Sequence, residues 1–194
     1  MLHTPSLEEA LRSALDPAPA HAPAPGDRLA AVLAPVVESP EPSLIFTVRS
    51  DALSRHPGEV SFPGGLVDEG ESLADAARRE AFEEIGLDPS LPRFVGALPA
   101  VHTYVSAILV VPFVGLLGSF PDLFAAEAEI KEIIRVDLAR LATLEEPMEL
   151  PRADGATWRG WAYPVDDHKI WGATGLMVHS FLDVLRAEAP WALD

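Results

Sequence analysis

Residues Gly65–Leu87 read GLVDEGESLADAARREAFEEIGL, the most informative stretch of the chain. Its centre, Ser72–Ile85, has the composition of a helix, with four alanines among strong helix formers. Ser72 is a suitable N-cap, and Gly86 can end the helix in the left-handed conformation. The stretch therefore predicts one helix that is entered and left through glycine-containing loops.

Three acidic side chains share one face of this predicted helix. At about 100° per residue they fall within an arc of about 100°; they are Glu80, Glu83 and Glu84. A glutamate-rich face is commonly just a solvated surface, because like charges on one arc repel each other. A divalent cation reverses that cost, since Mg²⁺ prefers carboxylate oxygens and shares them with substrate phosphates. Arg79, four residues before Glu83, can hold that carboxylate in place.

The same stretch carries polar and glycine residues at offsets that a solvated helix does not require. From Gly65 to Leu87 it meets every such position of the pattern G-x₅-E-x₇-R-E-U-x-E-E-x-G-U, where U is aliphatic and Ala81 is a small choice. The stretch thus resembles the Nudix box. The resemblance implies an α/β fold, a Nudix-like α/β/α sandwich with a mixed β-sheet and the Nudix loop–helix–loop. It also implies hydrolysis of a nucleoside diphosphate linked to another group.

The resemblance also implies roles for individual residues. The metal ligands, for Mg²⁺ or Mn²⁺, are Glu80, Glu83, Glu84 and the backbone carbonyl of Gly65. The residues assigned to catalysis are Glu83, Glu84 and Arg79, with Glu71 helping to orient the ligands. The general base stays open, because family members also use a carboxylate from a distant loop. The candidates are Glu83, Glu84, Glu127 and Glu129, and a solvated acidic loop is the competing interpretation of the last two.

The segment directly upstream narrows the substrate. Ile45–Gly65 reads IFTVRSDALSRHPGEVSFPGG, which resembles the extra motif of the coenzyme A pyrophosphatase branch, approximately LLTxRSxxxRxxxGxxxFPGG. Ser54 departs from that motif, although Arg55 follows it at once. The resemblance implies cleavage of coenzyme A to 3′,5′-ADP and 4′-phosphopantetheine. Because arginine grips phosphate oxygens in pairs, the predicted substrate phosphate contacts are Arg49, Arg55, Gly64 and Gly65, with His56 a weaker candidate.

Composition limits the class of partner. The 194 residues carry 14 Lys and Arg against 30 Asp and Glu, a net charge of −16 that repels a nucleic-acid backbone. No apolar run is long enough to cross a bilayer, and the absence of cysteine excludes disulfides and thiolate metal sites. We therefore expect a cytoplasmic enzyme with a small coenzyme A-like nucleotide substrate, without nucleic acid or membrane as partners. The sequence leaves open whether the chain forms a homodimer.

The pattern along the chain predicts one domain, residues 27–194, preceded by an N-terminal helix and a Pro/Ala linker over residues 1–26. Helices are predicted at Ser6–Leu15, Ser72–Ile85, Leu138–Leu144 and Thr174–Glu188. Strands are predicted at Ser43–Arg49, Glu59–Phe62, Phe94–Leu98, Val105–Leu117, Glu129–Val136, Trp158–Val165 and Lys169–Trp171. Leu29–Val37 stays ambiguous between helix and strand, because Pro35 weakens a strand and the alanines favour helix.

Other interpretations stay open beside this one. Within the enzyme class, the substrate would be ADP-ribose, NADH or another nucleoside diphosphate derivative. Outside it, the chain would be a non-catalytic nucleotide-binding domain of the same fold, or an acidic interaction protein. His102 and Tyr104 are candidates for a pocket wall, and His179 is expected to be structural. The tryptophans are expected in the core or at an interface: Trp158, Trp161, Trp171 and Trp191.

Overall fold

The computed structural model describes residues 4–19, 21–53, 57–103, 107–151 and 155–194. The helices are α1 (Leu7–Ala14), α2 (Leu73–Ile85), α3 (Leu138–Leu144) and α4 (Gly172–Glu188), followed by a 3₁₀ turn at Pro190–Leu193. The strands are β1 (Arg28–Val37), β2 (Ser43–Arg49), β3 (Val60–Ser61), β4 (Gly64–Leu66), β5 (Arg93–Ala97), β6 (Val101–Thr103), β7 (Ile108–Leu117), β8 (Ile130–Asp137), β9 (Glu146–Pro151), β10 (Thr157–Val165) and β11 (His168–Ile170).

A mixed sheet forms the centre of the molecule. Its strand order is β3–β2–β1–β7–β5, with β4 paired to β1, β6 to β7 and β8 to β2. Strands β1 and β7 run parallel along their full length, whereas the other pairs are antiparallel. A second, three-stranded sheet has the order β11–β10–β9. The predicted mixed sheet is therefore confirmed, and the parallel pair of long apolar strands lies at its centre.

Helices cover both faces of this sheet. On one face, Ala76, Ala77 and Ala81 of α2 pack with alternate residues of β1 and β7 in one apolar cluster. On the other face, a larger cluster joins α1, α3 and α4 to the remaining residues of the same strands. Because alanines carry short side chains, the side of α2 that bears them can lie close to the sheet. The α/β/α arrangement predicted for the chain is confirmed.

Strand β1 resolves the ambiguous segment in favour of a strand, although it contains a proline. Pro35 lies between the residues paired with β4, which end at Val32, and those paired with β2, which begin at Val36. No ladder bond to these two neighbours is needed at this position, so the missing N–H of proline costs little. The alanine-rich composition that favoured helix is outweighed by burial between two partner strands.

The N-terminal helix is confirmed with its predicted cap. The Ser6 side chain accepts a hydrogen bond from the Glu9 amide at 3.2 Å, and the Glu9 carboxylate accepts one from the Ser6 amide at 2.8 Å. Leu7 and Leu11 of α1 are buried in the cluster that includes α4. The described residues of the Pro/Ala tract, Pro17–Pro25, contain neither helix nor strand, and an isolated bridge at Asp16 precedes the tract. The domain boundary at residue 26 stays a prediction.

Three short strands were not predicted. Strands β4 and β6 are only 3 residues long, too short to show an alternating pattern. Strand β9 contains Pro147 and Pro151, and it is tolerated because β9 lies at the edge of the small sheet. In the described part of the chain, no helix has the length and apolar character needed to span a membrane.

Candidate metal and substrate site

Helix α2 presents the carboxylates of Glu80, Glu83 and Glu84, which we call the carboxylate cluster, beside strand β4. Ser72 caps the helix by accepting the Asp75 amide at 3.1 Å, and Gly86 ends it with φ of 66°. Strand β4 is held against β1, with Ala31 opposite Gly65. Because both elements pack on the central sheet, the loop before the helix and the last two helical turns have fixed relative positions.

Glu84 is the most buried member of the carboxylate cluster. Its residue is only 6% exposed, and its Oε2 accepts a hydrogen bond from the Gly64 amide at 3.1 Å. Burial raises the pKa of Glu84 to about 7, with a further contribution from the charge of Glu80. The Gly64 amide and the positive charge of Arg49 act in the opposite direction and lower this pKa. A buried carboxylate of this kind is stabilised when a cation offsets its charge.

Glu80 lies directly against Gly65. A methyl group on Gly65 would lie 2.5 Å from the Glu80 carboxyl carbon and 2.6–2.7 Å from its two oxygens. Burial raises the pKa of Glu80, and the charges of Glu83 and Glu129 raise it further. The glycine at this position thus leaves just enough space for the carboxylate beside the backbone of β4.

Arg79 connects the carboxylate cluster to the loop before α2. Its guanidinium donates to both oxygens of Glu71, at 2.9 and 3.0 Å, in a bidentate pair. One nitrogen, Nη1, also donates to Glu80 at 2.8 Å and to Glu83 at 3.2 Å. These contacts raise the pKa of Arg79 far above its ordinary value and lower the pKa of Glu71. Arg79 therefore positions the acidic side chains on both sides of it.

Arg79→Lys is expected to lower kcat by about 10- to 100-fold, or to raise the Mg²⁺ concentration needed for activity by a similar factor. Lysine keeps the charge but cannot make the bidentate pair with Glu71 while also holding Glu80. The measurement is kcat as a function of Mg²⁺ concentration. Arg78→Lys is the matched control, because Arg78 lies over the Phe94 ring instead. Identical Mg²⁺ profiles for the two variants would refute the positioning role of Arg79.

The carboxylate cluster has the right donor chemistry for a hard cation. Its oxygens come from adjacent turns of one helix. Burial and the neighbouring negative charges disfavour the charged forms of Glu80 and Glu84. In the described part of the chain, however, no three acidic or histidine side chains are already arranged around a common point. Glu83, whose side chain is 55% exposed, is turned to Arg79. A cation held by all three carboxylates would have to replace or share the contacts that Arg79 makes with Glu80 and Glu83.

The loop between β7 and β8 brings another acidic residue to the carboxylate cluster. The amides of Phe124 and Ala126 donate to the last-turn carbonyls of Ile85 and Glu84, at 3.1 and 2.9 Å. The loop then places Glu129 where its charge raises the pKa of both Glu80 and Glu84. Glu127 and Glu129 are both exposed. The charge of Glu129 acts on the carboxylate cluster, and the identity of the general base stays a prediction.

A cavity of about 860 Å³ opens beside the carboxylate cluster. Gly64 and Gly65 of β4 line one part of it, and apolar residues of β1, β6 and β7 line the face of the central sheet. Arg49, at the end of β2, also lines the cavity, and its buried Nε has no hydrogen-bond partner among the described residues. A buried guanidinium N–H without a partner is costly and favours an anionic ligand there.

The structure brings most of the predicted site residues together. Those at the carboxylate cluster or the cavity wall are Arg49, Gly64, Gly65, Arg79, Glu80, Glu83 and Glu84. The predictions for Arg55, His56 and Tyr104 lie outside the described residues, as does the departure at Ser54. His102 lines the cavity, with its Nε2 at 3.0 Å from each oxygen of Asp27.

Trp158 and Trp171, which were expected in the core or at an interface, are partly exposed and line the cavity. The same wall includes residues of β1, β3 and β7, more than 40 positions away in the sequence, so no local pattern indicated this role. Trp161 stacks on His179, with ring centroids 4.2 Å apart. His179 also lies 2.9 Å from Glu145 and does not line the cavity, in keeping with a structural role.

A model of the NUDIX domain matches residues 27–158, a span that contains the carboxylate cluster and Arg79. The chain belongs to the Nudix family. A curated protein called "Uncharacterized Nudix hydrolase NudL", from Escherichia coli O7:K1 (strain IAI39 / ExPEC), is 39% identical over 152 residues, which cover 76% of this chain and 77% of that protein. Nudix hydrolases cleave phosphoanhydride bonds in nucleoside diphosphate derivatives, in general with a divalent cation, and this chain is an enzyme of that class.

Solved structures show the same Nudix fold at low sequence identity. The Escherichia coli ORF135 protein has a TM-score of 0.53 at 19% identity, over 87% of this Nudix hydrolase and 99% of that chain. The NUDIX domain of Shewanella oneidensis NrtR, solved with ADP ribose, has a TM-score of 0.55 at 15% identity, over 94% and 97% of the two chains. These likenesses establish the fold alone.

Proposed function

We propose that this Nudix hydrolase cleaves the pyrophosphate bond of coenzyme A, or of its derivatives, with Mg²⁺ or Mn²⁺. The products are 3′,5′-ADP and 4′-phosphopantetheine. The observation that carries the proposal is Arg49, which lines the cavity beside the carboxylate cluster and whose buried Nε has no hydrogen-bond partner among the described residues. Coenzyme A differs from many nucleoside diphosphate derivatives by its 3′-phosphate, which needs a cation of this kind in addition to the metal ligands.

In this proposal Glu80, Glu83 and Glu84 hold the divalent cation, and the Gly65 carbonyl adds a backbone oxygen to them. The cation supplies charge neutralisation at the pyrophosphate and lowers the pKa of an attacking water. Arg79 keeps the carboxylates in place, and Gly64 and Gly65 allow the substrate phosphates to approach the backbone of β4. A carboxylate takes the proton from the water, and the candidates are Glu83, Glu84, Glu127 and Glu129.

The motif and the geometry support the same assignment for Arg49. Its guanidinium is close enough to the carboxylate cluster for its charge to lower the pKa of Glu84. A substrate whose pyrophosphate lies at the cluster can therefore have a second phosphate near Arg49 in the same cavity. Arg55 stays a proposed phosphate contact on the strength of the motif.

The direct test is incubation of the purified protein with coenzyme A, ADP-ribose and NADH, each with Mg²⁺ or Mn²⁺, followed by identification of the products by mass. We expect the largest kcat/KM for coenzyme A, with 3′,5′-ADP and 4′-phosphopantetheine as the products. A larger kcat/KM for ADP-ribose or NADH would refute the coenzyme A assignment. Nucleotide binding without any turnover would instead indicate a non-catalytic domain.

Arg49→Ala is expected to raise KM for coenzyme A by about 10- to 100-fold, because a hydrogen bond to a charged phosphate is lost. For dephospho-coenzyme A, which lacks the 3′-phosphate, KM should change by less than about threefold. The measurement is the ratio of the two KM values in the variant and in the wild type. Arg140→Ala is the control, since Arg140 pairs with Asp166 at the surface. An equal rise in KM for both substrates would count against the 3′-phosphate contact.

A further inference from the structure

The small sheet contributes a wall of the cavity that has no assigned role. Leu150 and Pro151 of β9 and Trp158 of β10 line the cavity, and Trp158 pairs in register with Leu150. The opposite strands of the cavity wall, β1 and β7, belong to the central sheet. Residues of both sheets thus line the cavity, together with Trp171 and the first turns of α4, and the hairpin of β9 and β10 contributes Trp158.

Gly160 determines how the Trp158 indole lies. A methyl group at Gly160 would lie 2.2 Å from Cη2 and 2.5 Å from Cζ2 of the Trp158 ring. Any larger residue would therefore displace the indole, so glycine allows the six-membered ring to rest on its own strand. Trp158 is partly exposed and lines the cavity, with its six-membered ring over Gly160.

A second indole and a phenylalanine line the same cavity. Trp171, the residue before α4, and Phe62, which follows β3, both contribute to its wall. Phe62 is itself fixed by stacking on Phe46, with ring centroids 4.8 Å apart. Because Phe62 is only 2% exposed, the partly exposed indoles of Trp158 and Trp171 are the aromatic surfaces on which a flat ring can stack.

The charges in the cavity wall indicate which half of the substrate belongs there. Among the described residues that line the cavity, one is a lysine or arginine, Arg49, and one is acidic, Glu59. Most of the remaining lining is apolar, with His102 and Thr103 among the few polar groups. A purine gains from stacking on such walls, whereas the pantetheine arm carries two amides that each need hydrogen-bond partners.

We propose that Trp158, supported by Gly160, is the stacking platform for the adenine base of the substrate. This inference rests on the proposed function, because it places the base and the 3′-phosphate of one 3′,5′-ADP unit in the cavity, on Trp158 and Arg49. The pyrophosphate then lies at the carboxylate cluster, and the cavity selects substrates by their adenine nucleotide half. Trp158 acts in binding and specificity, not in the chemical step.

The test is the affinity of the full chain for 3′,5′-ADP and for 4′-phosphopantetheine, measured separately by calorimetry in Trp158→Ala and Trp158→Phe. We expect Trp158→Ala to weaken 3′,5′-ADP binding by about tenfold or more, and Trp158→Phe to weaken it by about threefold or less, because phenylalanine keeps a stacking face. The affinity for 4′-phosphopantetheine should be unchanged in both variants. Gly160→Ala should resemble Trp158→Ala, since it displaces the same ring.

Trp191→Phe is the matched control, because Trp191 lies in the C-terminal 3₁₀ turn and does not line the cavity. Thermal unfolding of each variant separates a binding effect from a folding effect, and Trp158→Phe gives a reading if Trp158→Ala unfolds. Unchanged 3′,5′-ADP affinity in Trp158→Ala, or a loss confined to 4′-phosphopantetheine, would overturn the inference. Coenzyme A hydrolysis by the wild type in that case would leave the proposed function standing, whereas failure of the wild type to cleave coenzyme A would remove the function itself.

Discussion

Glu83→Gln is expected to lower kcat by at least about 100-fold while leaving the fold intact. The glutamine has the same shape but lacks the charge that a divalent cation requires from its ligand. Because the Glu83 side chain is 55% exposed and its one described partner is Arg79, its replacement removes no buried contact. The measurement is kcat at saturating Mg²⁺ and at saturating Mn²⁺, together with thermal unfolding of the variant.

Glu69→Gln is the matched control for this experiment. Glu69 is an exposed carboxylate in the loop before α2. It occupies one of the five unspecified positions between Gly65 and Glu71 of the motif. Both variants change the net charge by one unit, so a general electrostatic effect would affect them equally. Wild-type kcat in Glu83→Gln at saturating metal would show that Glu83 is not a metal ligand or a base.

Gly64→Ala and Gly65→Ala are expected to fail in different ways, although the two residues are adjacent. At Gly64, φ is 156°, and a methyl group would lie 2.5 Å from the Ala31 carbonyl oxygen and from the Val32 Cα. These atoms belong to the backbone of central strand β1 and cannot move aside. We expect Gly64→Ala to lower the free energy of unfolding by about 3 kcal/mol or more, measured by urea denaturation.

At Gly65 the collision is with a side chain instead. A methyl group there would meet the Glu80 carboxylate at 2.5–2.7 Å, and that carboxylate can rotate away. We therefore expect Gly65→Ala to stay folded but to lose kcat by about 10- to 100-fold, because a member of the carboxylate cluster is displaced. Gly118→Ala is the control for both, since a methyl group at Gly118 would meet no atom within 4 Å. Loss of stability in Gly65→Ala with normal specific activity would contradict this assignment.

The parts of the site that lie close together in the sequence were predictable, and the reason is local periodicity. Helix α2 follows from its cap, its alanines and its final glycine. The placement of Glu80, Glu83 and Glu84 on one side of the helix then follows from the helical repeat alone. The spacing of four residues likewise predicted a contact between Arg79 and Glu83, which the structure shows at 3.2 Å, whereas the bidentate pair of Arg79 with Glu71 was not predicted.

The parts that depend on tertiary packing were not predictable. Pro35 made strand β1 ambiguous, because only the sheet shows that the proline lies between two paired stretches. The loop that carries Glu127 and Glu129 is held to the end of α2 by backbone hydrogen bonds between residues about 40 positions apart, which no local pattern indicates. Trp158 and Trp171 entered the cavity wall because two sheets meet there, which no spacing in the sequence records.

The most direct test of the proposed metal site is to soak a crystal of the protein in Mn²⁺ and to locate the metal by anomalous scattering. We expect an anomalous peak within coordination distance of carboxylate oxygens from Glu80, Glu83 and Glu84, next to the backbone of Gly65. A crystal saturated with Mn²⁺ that shows those three side chains in solvent, with no peak beside them, would contradict it.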